Sequence, residues 1–159
     1  MSLGSTAYQL LQSKAWLAST PTLTFKNIPS YKYLLLEFYG FPSKNTQYFL
    51  RFNNDSGANY SDRQSVNGAV DTTTISAAQI NFSILSTTPQ FIKVYIVNIP
   101  DQEKLVIAHS GGQNARGSAT APARQESVGK WANTTVLINE IDITMSTGGL
   151  GIATLWGSN

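Results

Sequence analysis

Asn53, Asp55, Asn59 and Asp62 form the densest oxygen-bearing cluster in the chain, and such clusters are what a hard cation like calcium takes. The spacing does not fit a calcium loop. With Gly57 as the sixth position, the first falls on Phe52 and the twelfth on Arg63, and neither supplies a carboxylate. The same residues fit an Asx-turn network, in which Asn and Asp bond their own backbone and tolerate positive φ. His109 is the only histidine, and with Ser110 or Ser127 it could enter a nucleophile–base pair. No nucleophile-elbow pattern surrounds any serine, so the expectation is a half-exposed histidine at a strand end. Zinc is a weaker reading still, with one His and no Cys.

Glu37, Asp101, Glu103, Glu126, Glu140 and Asp142 are the acids that strands or turns could present as a glycosidase pair. Glu140 and Asp142 share one face of an expected strand, where solvent-facing acids that blunt the strand are the favoured reading. Gly111-Gly112-Gln113-Asn114-Ala115-Arg116-Gly117 looks like a phosphate-cradling loop, but it lacks the Lys-Ser/Thr ending and precedes no helical pattern. It reads as a contact loop. Asn54, Asn59, Asn81 and Asn133 sit in glycosylation-type triplets that an Asn/Ser/Thr-rich chain produces by chance. Trp16, Trp131, Trp156, Tyr31, Tyr39, Tyr60 and Tyr95 could stack sugar rings, but most lie inside strand patterns, where core or interface packing is the commoner role. No catalytic, cofactor-binding or metal-binding residue is assigned, and no cofactor is expected.

Composition agrees with a structural role. The chain of 159 residues fits one domain with a real core. Only 13% of residues are charged, about half the usual share. Ser, Thr, Asn and Gln replace them, which suits strands joined by turns and a surface that sits against neighbours. A net charge of +2 without any Lys/Arg run argues against nucleic acid, and no long apolar run argues for a membrane. The opening residues carry no signal-peptide pattern, and no Cys is present for disulfides.

The elements follow from alternation. A first strand or arm covers about residues 8–18, and residues 22–25 read as its hairpin partner. Residues 32–39 form a strong strand with two apolar faces, which belongs at a sandwich centre or against a partner subunit. Residues 47–52 return as its antiparallel neighbour. Residues 55–74 lack the apolar density of a core element and read as a long loop. Residues 80–85 resume the alternation. Residues 91–99 and 105–108 form a hairpin, and 110–124 is a second long loop. Strands follow at 125–132, 135–145 and 150–156. About nine strands argue for an all-β antiparallel sandwich, jelly-roll-like.

One stretch also carries a family resemblance. Arg51-Phe52-Asn53-Asn54-Asp55-Ser56-Gly57-Ala58-Asn59-Tyr60 resembles a segment of small β-sandwich virion proteins of tailed bacteriophages. Phe25-Lys26-Asn27-Ile28-Pro29-Ser30-Tyr31, Lys130-Trp131 and the ending Thr154-Leu155-Trp156-Gly157 resemble that group's flanking motifs, although Trp156 stands where Tyr is usual and residues 66–89 match poorly. The resemblance implies a non-enzymatic virion structural protein, assembled in the host cytoplasm. Its first form is a capsid decoration, or cement, protein that binds the major capsid protein or other virion proteins and copies of itself, as a homotrimer or a dimer. The alternative is a receptor- or carbohydrate-binding tip module of a tail or head fibre. Residues 8–17, 55–74 and 110–124 are the segments expected to touch neighbours.

Overall fold

The computed structural model describes residues 7–17 and 20–159. Residues 18 and 19, at the end of the expected arm, lie outside the described residues, as do the opening six. Among the described residues every regular element is a strand: β1 (Gln9–Trp16), β2 (Thr22–Phe25), β3 (Tyr33–Pro42), β4 (Tyr48–Phe52), β5 (Tyr60–Val66), β6 (Thr72–Ala77), β7 (Ile80–Asn81), β8 (Gln90–Val97), β9 (Lys104–Gly112), β10 (Ala123–Trp131), β11 (Ile141–Met145) and β12 (Gly149–Ser158). All pairings are antiparallel. The chain is an all-β sandwich.

An eight-stranded sheet in the order β1-β12-β3-β8-β9-β10-β5-β6 faces a four-stranded sheet in the order β2-β11-β4-β7. The chain passes from one sheet to the other at every connection except β5–β6, β8–β9 and β9–β10. By contrast, β5–β6 and β9–β10 are connected within the large sheet and pair with each other through β10 and β5.

Alternation builds the core, because successive strand side chains point to opposite faces. Leu34, Leu36 and Phe38 of β3 and Ile92, Val94 and Ile96 of β8 point inward, onto Leu50, Phe52, Ile141 and Ile143 of the small sheet. Each such side chain contributes roughly 1.5–3 kcal/mol when fully buried. Aromatic rings close the two ends. Phe38 meets Tyr48 edge-on at 4.7 Å beside Trp16, and Phe52, Tyr60 and Trp131 form a second cluster in which Tyr60 stacks on Trp131 at 6.3 Å.

Several sequence expectations need correction. Residues 55–74 are not one long loop, because β5 and the start of β6 occupy half of the stretch. Apart from Ile75 their outward residues are polar, and β6 is an edge strand, so ladder hydrogen bonds to β10 hold what apolar density does not announce. The second long loop shrinks to residues 113–122, since β9 runs to Gly112 and β10 starts at Ala123. β2 is not the hairpin partner of β1, nor β4 of β3, since each pair is split between the two sheets. In 135–145 only Ile141–Met145 is strand. The hairpin of β8 with β9 and the closing strand are where the alternation puts them.

Candidate interaction face

The Arg51 to Ser61 stretch folds as a set of backbone locks. Asn53 and Asn54 both take left-handed φ, near +50° and +55°. That turn lets the Asn53 amide oxygen accept from the Asn139 and Glu140 N–H groups, while its NH₂ donates to the Leu137 carbonyl. The Asp55 carboxylate accepts from Gly57 N–H at 2.8 Å, from the Asn59 amide and from the Trp131 indole at 2.7 Å. Burial alone would push this carboxyl up; the hydrogen bonds from Trp131, Gly57 and Asn59, with the Arg51 charge, outweigh it and hold it below the usual carboxylate range. The buried Tyr60 hydroxyl accepts from the Phe52 N–H at 2.9 Å, and the Phe52 and Asp55 carbonyls lie within its donating reach. Asp62 does not join this cluster. It turns inward on β5 and accepts from the Asn81 N–H, and burial pushes its carboxyl up.

Strand alternation separates the other candidates. His109 is exposed on the outer face of the large sheet, whereas Ser110 and Ser127 are buried on the inner one. Glu140 lies outside β11 and pairs with Lys26 at 3.7 Å. Asp142 is not the solvent-facing acid of a blunted strand: β11 is central to the small sheet, and Asp142 is buried there, accepting from the Thr24 hydroxyl at 2.6 Å. Glu103 pairs with Lys130 at 2.8 Å. Gly111 and Gly112 belong to β9, with only residues 113–117 of the expected glycine loop beyond it. Among the described residues no three His, Asp or Glu side chains converge on a shared point.

What the register does assemble is a surface. On the outer face of the large sheet, paired residues place Leu10, Trp156, Leu35, Tyr95, Ile107 and Val128 in one row across six strands. A second apolar row runs Ile152, Tyr39, Phe91. Between them lies a polar row of Thr154, Glu37, Lys93, His109 and Glu126. Glu37 and Lys93 form an ion pair at 3.0 Å. That hydrogen bond, with the Glu37 charge, holds the Lys93 ammonium above its usual range.

Leu10, Tyr39, Phe91, Tyr95, Ile107, Val128 and Ile152 are each between 41% and 57% exposed. Scattered exposed hydrophobics are ordinary, but contiguous rows are the mark of an interaction surface. The aromatics weighed for sugar stacking divide between core and face. Trp16, Trp131 and Tyr60 are buried. On the face Tyr39 meets Phe41 edge-on, at 81°, with aliphatic neighbours, which does not make a flat shelf. The sequence signalled this face in the two apolar sides of β3 and of β8, where Phe91 and Tyr95 lie opposite Ile92, Val94 and Ile96; the rest comes from long-range pairing.

No family model matches the chain, and no curated protein matches it in sequence.

Proposed function

We propose that this chain is a non-enzymatic structural subunit of a phage particle, a capsid decoration protein that binds the head shell and neighbouring copies. The observation that carries the reading is the broad apolar outer face of the eight-stranded sheet, which offers area and shape to a macromolecular neighbour. The winding supports it. Strands β1-β12-β3-β8 facing β2-β11-β4-β7 read as the two interlocked Greek keys of a jelly roll, an architecture shared by viral capsid and lectin domains. On this reading β5–β6 and β9–β10 are insertions that widen one sheet. Many copies on a lattice hold firmly through individually modest contacts, so no deep site is needed.

The lectin-like alternative, a carbohydrate-binding fibre tip, draws on Tyr39 and Tyr95 of the same face. The aliphatic surroundings of those rings favour a protein neighbour instead. The test is addition of purified protein to heads stripped of accessory proteins. Saturable binding at a fixed copy number is expected, and failure to bind heads, or binding to surface polysaccharide instead, would overturn the reading.

A further inference from the structure

We infer that the neighbour covering the outer face is a second copy of this chain, packed face to face about a two-fold axis that runs along the strands between β3 and β8. The inference rests on reading that face as a docking surface, and it names the occupant. Two flat faces of one kind close on each other only through a two-fold lying in their shared plane; a three-fold cannot stack one face on itself. Of the two self-assemblies expected from the sequence, this face therefore takes the dimer.

Charge fixes where the axis lies. The polar row carries Glu37 on β3 and Lys93 on β8 as register partners. An axis between these strands lays each Glu37 over the other copy's Lys93, giving an alternating cluster of four charges at the centre. A shift by one strand in either direction breaks that alternation: it sets Glu37 over itself or Lys93 over itself. The apolar rows keep their places under the same operation. Leu35 falls over Tyr95 of the second copy, Trp156 over Ile107, and Tyr39 over Phe91, while Ile152 meets Gly111, which has no side chain to clash. Sheets stacked this way sit about 10 Å apart with their strands rotated by about 30°.

The area suffices. At about 4.8 Å between strands and about 3.3 Å per residue, six strands by about eight residues present roughly 750 Å² per copy. Two copies then bury roughly 1,500 Å², a standard size for a specific interface.

The test is light-scattering mass of the full chain across a dilution series, with charge-reversed variants. The wild type is expected to be a dimer, and Ile107→Glu, a substitution on the solvent side of β9, a monomer with unchanged circular dichroism. Glu37→Lys and Lys93→Glu are each expected to lose dimerisation at least tenfold, and an equimolar mixture of the two to recover it as a heterodimer. That recovery reads a contact between copies, because neither variant alone restores the charge alternation. A monomeric or trimeric wild type, or a dimer indifferent to Ile107→Glu and to mixing, would overturn the inference. Head binding by a monomeric wild type would overturn the two-fold and leave the virion reading standing; a two-fold dimer that ignores heads would do the reverse.

Discussion

Asp55 and Tyr60 show how a polar cluster can be structural and still tightly specified. Tyr60→Phe keeps the ring stacked on Trp131 but strips the buried Phe52 N–H of its acceptor, which costs about 1–3 kcal/mol. Urea denaturation measures it, and a loss under about 0.5 kcal/mol would contradict the role given to the hydroxyl. Asp55 adds a pH signature. Its folded carboxyl lies below an unfolded value of about 3.9, so its stabilisation is complete above that pH and is lost as pH falls through the lower, folded value. Asp55→Asn is expected to weaken the fold at pH 7 and to flatten the acid limb of stability below about pH 4. Equal acid slopes in the two proteins would contradict this. The lock was legible in the sequence, because its partners at Gly57 and Asn59 lie within four residues; Trp131 and the 137–140 segment were not, since only tertiary pairing brings them there.

Among the elements, the strongest strands were the easiest to read and the edge hairpin the hardest. β3 and β8 carry inward apolar alternation at Leu34, Leu36, Phe38, Ile92, Val94 and Ile96, and the sequence places them and the closing strand β12 well; β9 buries Lys104 and Ser110 beside Val106 and Ala108 and runs past its expected end. β5 and β6 show little of that alternation, because inward positions hold Asp62 and Gln64 and the outward side is Ser, Arg and Thr with the exposed Ile75. Asp142 was misread for a related reason, since nothing local tells that β11 is flanked on both sides. Glycines mark where elements approach closely. A Cβ on Gly151 of β12 would lie 2.8 Å from the Tyr39 carbonyl and 2.8 Å from the Phe38 ring, and the backbone atom cannot step aside. Gly151→Val is therefore expected to cost about 1–3 kcal/mol, through overpacking. Thermal melts would show it; an unchanged midpoint would mean that β3 and β12 separate more easily than their ten paired residues imply.

At the scale of the molecule, the outer face sets the behaviour. Its residues contribute little to the buried core, so Ile107→Glu is expected to leave unfolding within about 0.5 kcal/mol of the wild type when both are compared as monomers, at concentrations below the dimer's dissociation constant. Association should suffer instead. The fold class was legible in the sequence as an antiparallel sandwich. The face was not, because its rows join residues from β1 to β12 that meet only in register. The proposal of a head decoration protein stands on what that face meets in a particle. On that proposal, the most direct measurement is a density map of an intact virus particle assembled with this chain. The account predicts copies at repeated points of the icosahedral shell, with the face centred on β3 and β8 covered; copies confined to tail or fibre tips, or that face bare to solvent, would contradict it.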